Sequence, residues 1–234
     1  MHLLIGGDIG EADSIGAILS ELDNAVQVPI YFVLGNHDFN HGSIAAVRRR
    51  VGEQVASSAR LHWLPAEAAI LLTADAALIG HDSWADGRLG NFLDSTVEMN
   101  DYLLIEELRG LPKPELLVKL NALGDEAALF LEARAREALA QRSHILVLTH
   151  VPPFRDSCWH QGRISNSNWL PHFAWKTAGE RLAALMRKHP ENAMTILCGH
   201  THGAGFTRIL ENLSVFTGGA EYGYPQLQRV FDLS

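Results

Sequence analysis

Two hydrophobic periods alternate along this chain, and they predict where strands and helices fall. Residues 2–7 and 29–34 are short apolar runs, the first closed by Gly7-Asp8 and the second by Gly35-Asn36-His37-Asp38. Such runs predict strands buried on both faces. Between them, Ile15, Ile18, Leu19 and Leu22 recur at helical spacing behind Asp13 and Ser14, either of which can cap a helix. Strand, helix, strand predicts a right-handed crossover between parallel strands. A second helix is expected over 43–57, then short strands near 61–64, 69–72 and 76–80 on the far side of a mixed sheet.

From 96 to 142 the pattern is helical and reads as a core-facing cap. Pro112 and Pro114 mark a break there, and Asp125 caps a helix that aligns Ala127, Leu131, Ala135 and Ala138. A strand over 144–149 ends at His150, and a loop rich in Trp and Asn follows to about 175. A helix over 177–188 precedes a strand over 193–198 that ends at Gly199-His200. The segments 206–210, 213–216 and 226–233 read as an antiparallel set closing the sheet. With no repeat and no linker, residues 1–234 read as one domain.

Composition narrows the class. A chain of 234 residues, 47% hydrophobic and 20% charged, is that of an ordinary globular protein. Its apolar runs are far shorter than the roughly 18 residues a bilayer span needs, so no membrane partner is expected. The start shows no secretory pattern, and the two cysteines, Cys158 and Cys198, form no pairing pattern, which together point to a reducing, cytoplasmic setting. Nineteen Lys and Arg against 27 Asp and Glu give −8, which argues against a duplex nucleic-acid partner. The 12 histidines stand out, since histidine is both the commonest metal ligand and the side chain that titrates nearest neutrality.

These residues collect at strand ends, where ligands gather in open α/β sheets. Asp8 follows the first strand, Asn36-His37-Asp38 the second, His150 another and His200-Thr201-His202 the last of the parallel set. Carboxylate, amide and imidazole donors together suit a hard or borderline divalent cation. Taken singly, Gly7-Asp8 also fits a turn or helix cap, Gly35-Asn36-His37-Asp38 a tight turn, and His150 a core histidine.

In order, Gly7-Asp8, Gly35-Asn36-His37-Asp38, His150 within Thr-His-Val-Pro-Pro and Gly199-His200-Thr201-His202 resemble the motifs of the calcineurin-like metallophosphoesterases. The resemblance implies a four-layer α/β/β/α sandwich of two mixed sheets. It implies that Asp8 bridges two divalent metals, Mn, Fe or Zn, that Asn36, His150 and His200 complete one, and that His202 serves the other. His37 would donate a proton to the leaving oxygen or stabilise charge there, with Asp38 orienting it. Two ions about 3.5–4 Å apart would hold a bridging hydroxide that attacks phosphorus.

The family's first motif, D-x-H, has no counterpart ahead of Gly7, so the domain reads as N-terminally incomplete, holding one metal better than two and of weakened activity. The expected substrate is a phosphodiester or small phosphomonoester. The protein-phosphatase forms G-D-x-x-D-R-G and R-G-N-H-E are not matched, which lowers that alternative; a non-catalytic binding module of the same fold is the other. For substrate contacts, His81, Arg155, His160 and Arg163 are the candidates, with His41, Asn166, Asn168, Trp169 and Trp175 behind them. Arginine can grip phosphate and tryptophan can stack on a ring, although a packed surface loop explains the same residues.

Overall fold

The computed structural model describes residues 1–233. Three short strands, β1 (Leu3–Ile5), β2 (Ile30–Phe32) and β3 (Leu61–Trp63), pair in parallel in that order. The crossovers between them are α1 (Ile15–Ala25) and α2 (Ile44–Val55). Ser14 does not cap α1 with its side chain; its hydroxyl instead accepts from Glu11 N–H. Ser43 does accept from Ala46 N–H, and Glu107 reaches across to take the N–H groups of Ile44 and Ala45. A remote carboxylate thus completes the start of α2, where the helix dipole favours negative charge.

The second sheet has six strands. The additional ones are β4 (Ile70–Leu71), β5 (Ala76–His81), β6 (His144–Thr149), β9 (Ala193–Cys198), β10 (Gly205–Leu210) and β11 (Leu213–Thr217). A small hairpin, β7 (Trp159–His160) with β8 (Arg163–Ile164), precedes β9. The six are ordered β10-β11-β9-β6-β5-β4, with parallel pairing through the centre and antiparallel edges.

Period-two alternation assigns the faces. In β2, Ile30 and Phe32 point to α1 and α2, while Tyr31 faces the second sheet; in β6, Ile145 and Val147 face helices while Leu146 and Leu148 face the first sheet. Tyr31, Val33, Leu64, Leu78, Leu146, Leu148 and Leu197 fill the seam between the sheets. The outer layer on the six-stranded side is α4 (Lys113–Leu139) with α6 (Lys176–Met186); the short helices α3 (Asp101–Leu104) and α5 (Leu170–Phe173) precede them. Four layers, α/β/β/α, result, the smaller sheet being wholly parallel rather than mixed.

The helical segment packs inward: α4 carries Ala127, Leu131, Ala135 and Ala138 into the core against β5, β6 and α6. It breaks at Pro112 and Pro114: α3 ends at Leu104 and α4 starts at Lys113, with the prolines at its beginning, where they cost no helical hydrogen bond. Two expectations need correction. Asp125 caps no helix; it lies within α4 and pairs with Arg88 at 2.8 Å. Residues 226–233 form no strand; Phe231 sets its edge against Phe216 at 5.4 Å, and Arg229 lies over the same ring at 4.3 Å. Among the described residues, no helix is long and apolar enough to cross a membrane.

Candidate metal centre

The loops after β1 and β2 from one sheet meet the loops after β6 and β9 from the other. Asp8, His200 and His202 all lie in the left-handed region, with φ of 53°, 68° and 60°. Such conformations cost non-glycine residues on the order of 1 kcal/mol or more and concentrate at functional sites. Two glycines let the loops touch. A Cβ on Gly7 would fall 2.6 Å from Gly35 N and 2.7 Å from His150 Nδ1, and one on Gly35 would collide with the Asp8 carboxylate.

Four atoms then converge. Asn36 Oδ1 is 2.8 Å from His200 Nδ1 and 2.9 Å from His150 Nε2; the two ring nitrogens are 3.2 Å apart, and His150 Nε2 lies 3.4 Å from Asp8 Oδ1. Behind the set, the remaining donors are committed. His150 Nδ1–H donates to Gly6 O (2.8 Å), His200 Nε2–H to His172 O (2.9 Å) and Asn36 Nδ2–H to Asp101 Oδ1 (2.9 Å). A carbonyl can only accept, so these contacts put a proton on His150 Nδ1 and on His200 Nε2. Desolvation, aided by His150, pushes the His200 imidazole down to about 3, leaving it neutral with its single proton on Nε2. Its Nδ1 therefore points a lone pair at the oxygen lone pairs of Asn36.

A pocket of facing lone pairs is repulsive without a cation between them. Ligand atoms about 2.0–2.2 Å from one ion lie roughly 3 Å from each other, which matches the 2.8–3.4 Å seen here. Among the described residues no His, Cys, Asp and Glu side chains alone make a ready group of three; the amide of Asn36 is an integral member of the set. The donor chemistry fits a divalent metal. Burial works against ionisation of Asp8, but His150, His37 and the His37 backbone N–H outweigh it and hold the carboxyl below its usual range.

The other expected residues separate into those that reach this set and those that do not. His37 donates its backbone N–H to Asp8 Oδ1 at 3.1 Å, and its ring stacks on Tyr222 at 5.7 Å. His202 stands across from it, edge-on to Tyr222 at 4.8 Å, with burial lowering its pKa. Asp38 does not orient His37. Its two oxygens accept from Gly10 N–H and Gly35 N–H, both at 2.7 Å, so it staples the loops carrying Asp8 and Asn36. Burial and Asp8 raise this carboxyl to about 8, against the pull of its backbone donors.

Nor does His81 face the cleft: it is buried against Phe130 of α4, accepts from Ser83 N–H, and is pushed by burial down to about 4. His160 donates from Nδ1 to Thr201 O at 2.9 Å and so holds the loop between His200 and His202, while its register partner Arg163 is exposed. Arg155 and His41 are exposed as well, and Trp175 is fully buried, bonded to Gly124 O. The pattern of motifs had no place for Asp101, His172 or Tyr222. Their contacts with the set run through an amide partner, a main-chain carbonyl and a ring, none of which leaves a mark at motif spacing.

The fold is thus a parallel-centred sandwich with oxygen and nitrogen donors gathered at its strand ends. The model of the calcineurin-like phosphoesterases matches residues 2–204, and the chain belongs to that family. A dimetal phosphatase from Danio rerio aligns with 93% of this chain and 72% of its own, at 13% identity and a TM-score of 0.54, which supports the same fold. A putative 5′-nucleotidase from Staphylococcus aureus aligns with 89% of this chain and 35% of its own, at 12% identity and a TM-score of 0.46. No curated protein gives a significant match to the sequence.

Proposed function

We propose that this chain hydrolyses a phosphodiester or a small phosphomonoester, with Asp8, Asn36, His150 and His200 holding one divalent ion and Asp8 and His202 facing a second. What supports this reading most is the converging set of lone pairs whose donor sides are already committed. When bound, such ions supply Lewis-acid neutralisation of phosphoryl oxygens and make water a competent nucleophile at neutral pH.

The chain's own residues do the rest. Asp101, Gly6 and His172 fix the amide and the two imidazoles from behind, so little reorganisation is left for binding. His37, partly exposed beside Asp8, gives a proton to the departing alkoxide. Asp38 keeps the Asp8 and Asn36 loops together, which preserves the spacing between the ligand set and His37.

The test is elemental analysis after dialysis against Mn²⁺, combined with hydrolysis of a chromogenic diester and monoester. At least one tightly held ion per chain and turnover of one ester, both lost in Asp8→Ala, are the expected outcome. Failure of wild-type protein to retain any metal would refute the proposal.

A further inference from the structure

We propose that Tyr222 is a specificity-determining residue of this site, selecting phosphoesters whose alcohol carries a planar aromatic group, a nucleoside in preference to a simple aryl group. This rests on the hydrolytic reading above. Tyr222 follows β11 in a segment without regular structure. Its ring lies nearly parallel to His37, 21° between planes, and meets His202 at 74°. Yet it remains 68% exposed, so the stack uses only part of its surface and leaves aromatic area open beside His37 and His202.

The segment is tied down on both sides of the ring. Before it, Gly218 N–H donates to Cys198 O and Ala220 N–H to His202 O; after it, Gln228 Oε1 accepts from Gly219 N–H and Arg229 packs on Phe216. An exposed ring held in place in advance is the arrangement that stacks a ligand at low entropic cost. Tyr222 also lies beyond residue 204, where the family match ends.

Distance favours the nucleoside. The His37 and Tyr222 centroids are 5.7 Å apart, and a group stacked on the outer face would lie roughly 3.5 Å farther out. A ring bonded directly to an ester oxygen lies next to its phosphorus, whereas a base held one sugar away extends farther from it and so suits an outer face. Stacking accepts any base, since every base has a π-face, so the selection is for planarity rather than for base identity.

The experiment compares wild type, Tyr222→Ala and Tyr222→Phe, all Mn²⁺-loaded, with adenosine 5′-monophosphate, ribose 5-phosphate and phenyl phosphate. Both calorimetric binding and kcat/KM are read. Tyr222→Ala is expected to lose roughly tenfold or more toward the nucleotide, with less than about twofold change for ribose 5-phosphate and phenyl phosphate; Tyr222→Phe stays near wild type. Equal losses on nucleotide and ribose 5-phosphate, a general gain in activity, or no measurable nucleotide binding by wild type would each overturn the proposal. An equal loss on phenyl phosphate would overturn the nucleoside preference. If no ester is hydrolysed at all, the hydrolytic reading fails, while the binding ratios still decide the role of Tyr222.

Discussion

On one side of the centre, Asn36, His150 and His200 have their far donors bonded to Asp101, Gly6 and His172. On the other, His37 and His202 are partly exposed and meet Tyr222 through ring contacts. The first side is organised before any ion arrives: ring protons, amide orientation and spacing are set by groups that can only accept. The second side is held by ring contacts and is left partly open to solvent. For the hydrolysis proposed above, that division suits a metal held continuously while an acid group gains and loses a proton in each cycle.

The strongest way to break this comparison is to substitute one residue on each side. His200→Ala is expected to remove the tightly held metal and lower turnover by more than the 10–100-fold typical of losing a supporting partner. His37→Ala should lower kcat by about 10²–10⁴ with metal content unchanged. Elemental analysis beside steady-state kinetics separates the two, and metal loss in His37→Ala would erase the distinction.

A smaller effect sharpens the picture from behind the ligands. Asp101→Ala frees the Asn36 amide to rotate, and metal affinity should fall by about 10–100-fold, read by competition with a chelator of known strength. An affinity within twofold of wild type would mean that the carboxylate does not hold Asn36.

The least change in activity is expected at His81, which lies outside both sides. His81→Asn should leave kcat/KM within about twofold but alter acid stability. The folded pKa of about 4 lies below the unfolded value of 6.5. Stability is therefore full above pH 6.5 and falls toward pH 4, as the unfolded chain takes up a proton that the folded one refuses. The loss is up to about 3 kcal/mol. Melting curves from pH 7 to 4.5 should be flatter for the variant.

Much of this architecture was legible in the sequence because it is written in side-chain type at regular spacing. The β1-α1-β2-α2-β3 succession and the strands ending at His150 and His200 follow from apolar runs and their polar closures. Legibility stopped where a contact depends on main chain or on distant pairing. The carbonyls of Gly6 and His172 carry no residue signature, and Asp101 meets Asn36 across 65 positions. Asp125 has the composition of a cap but finds Arg88 instead, and the apolar residues of 226–233 pack through the Phe231 ring without a ladder. The carboxylate of Asp38 binds backbone amides, which no side-chain pattern forecasts.

Asp8 and Asn36 come from the three-stranded sheet and His150 and His200 from the six-stranded one, so the ligand set straddles the seam between them. An ion bound there would bind only the state in which the two sheets are docked. By mass action it would stabilise that state by about 2.7 kcal/mol at a hundredfold excess over its dissociation constant. The seam would then be a linkage device, through which free metal concentration sets how firmly the two halves of the sandwich hold together.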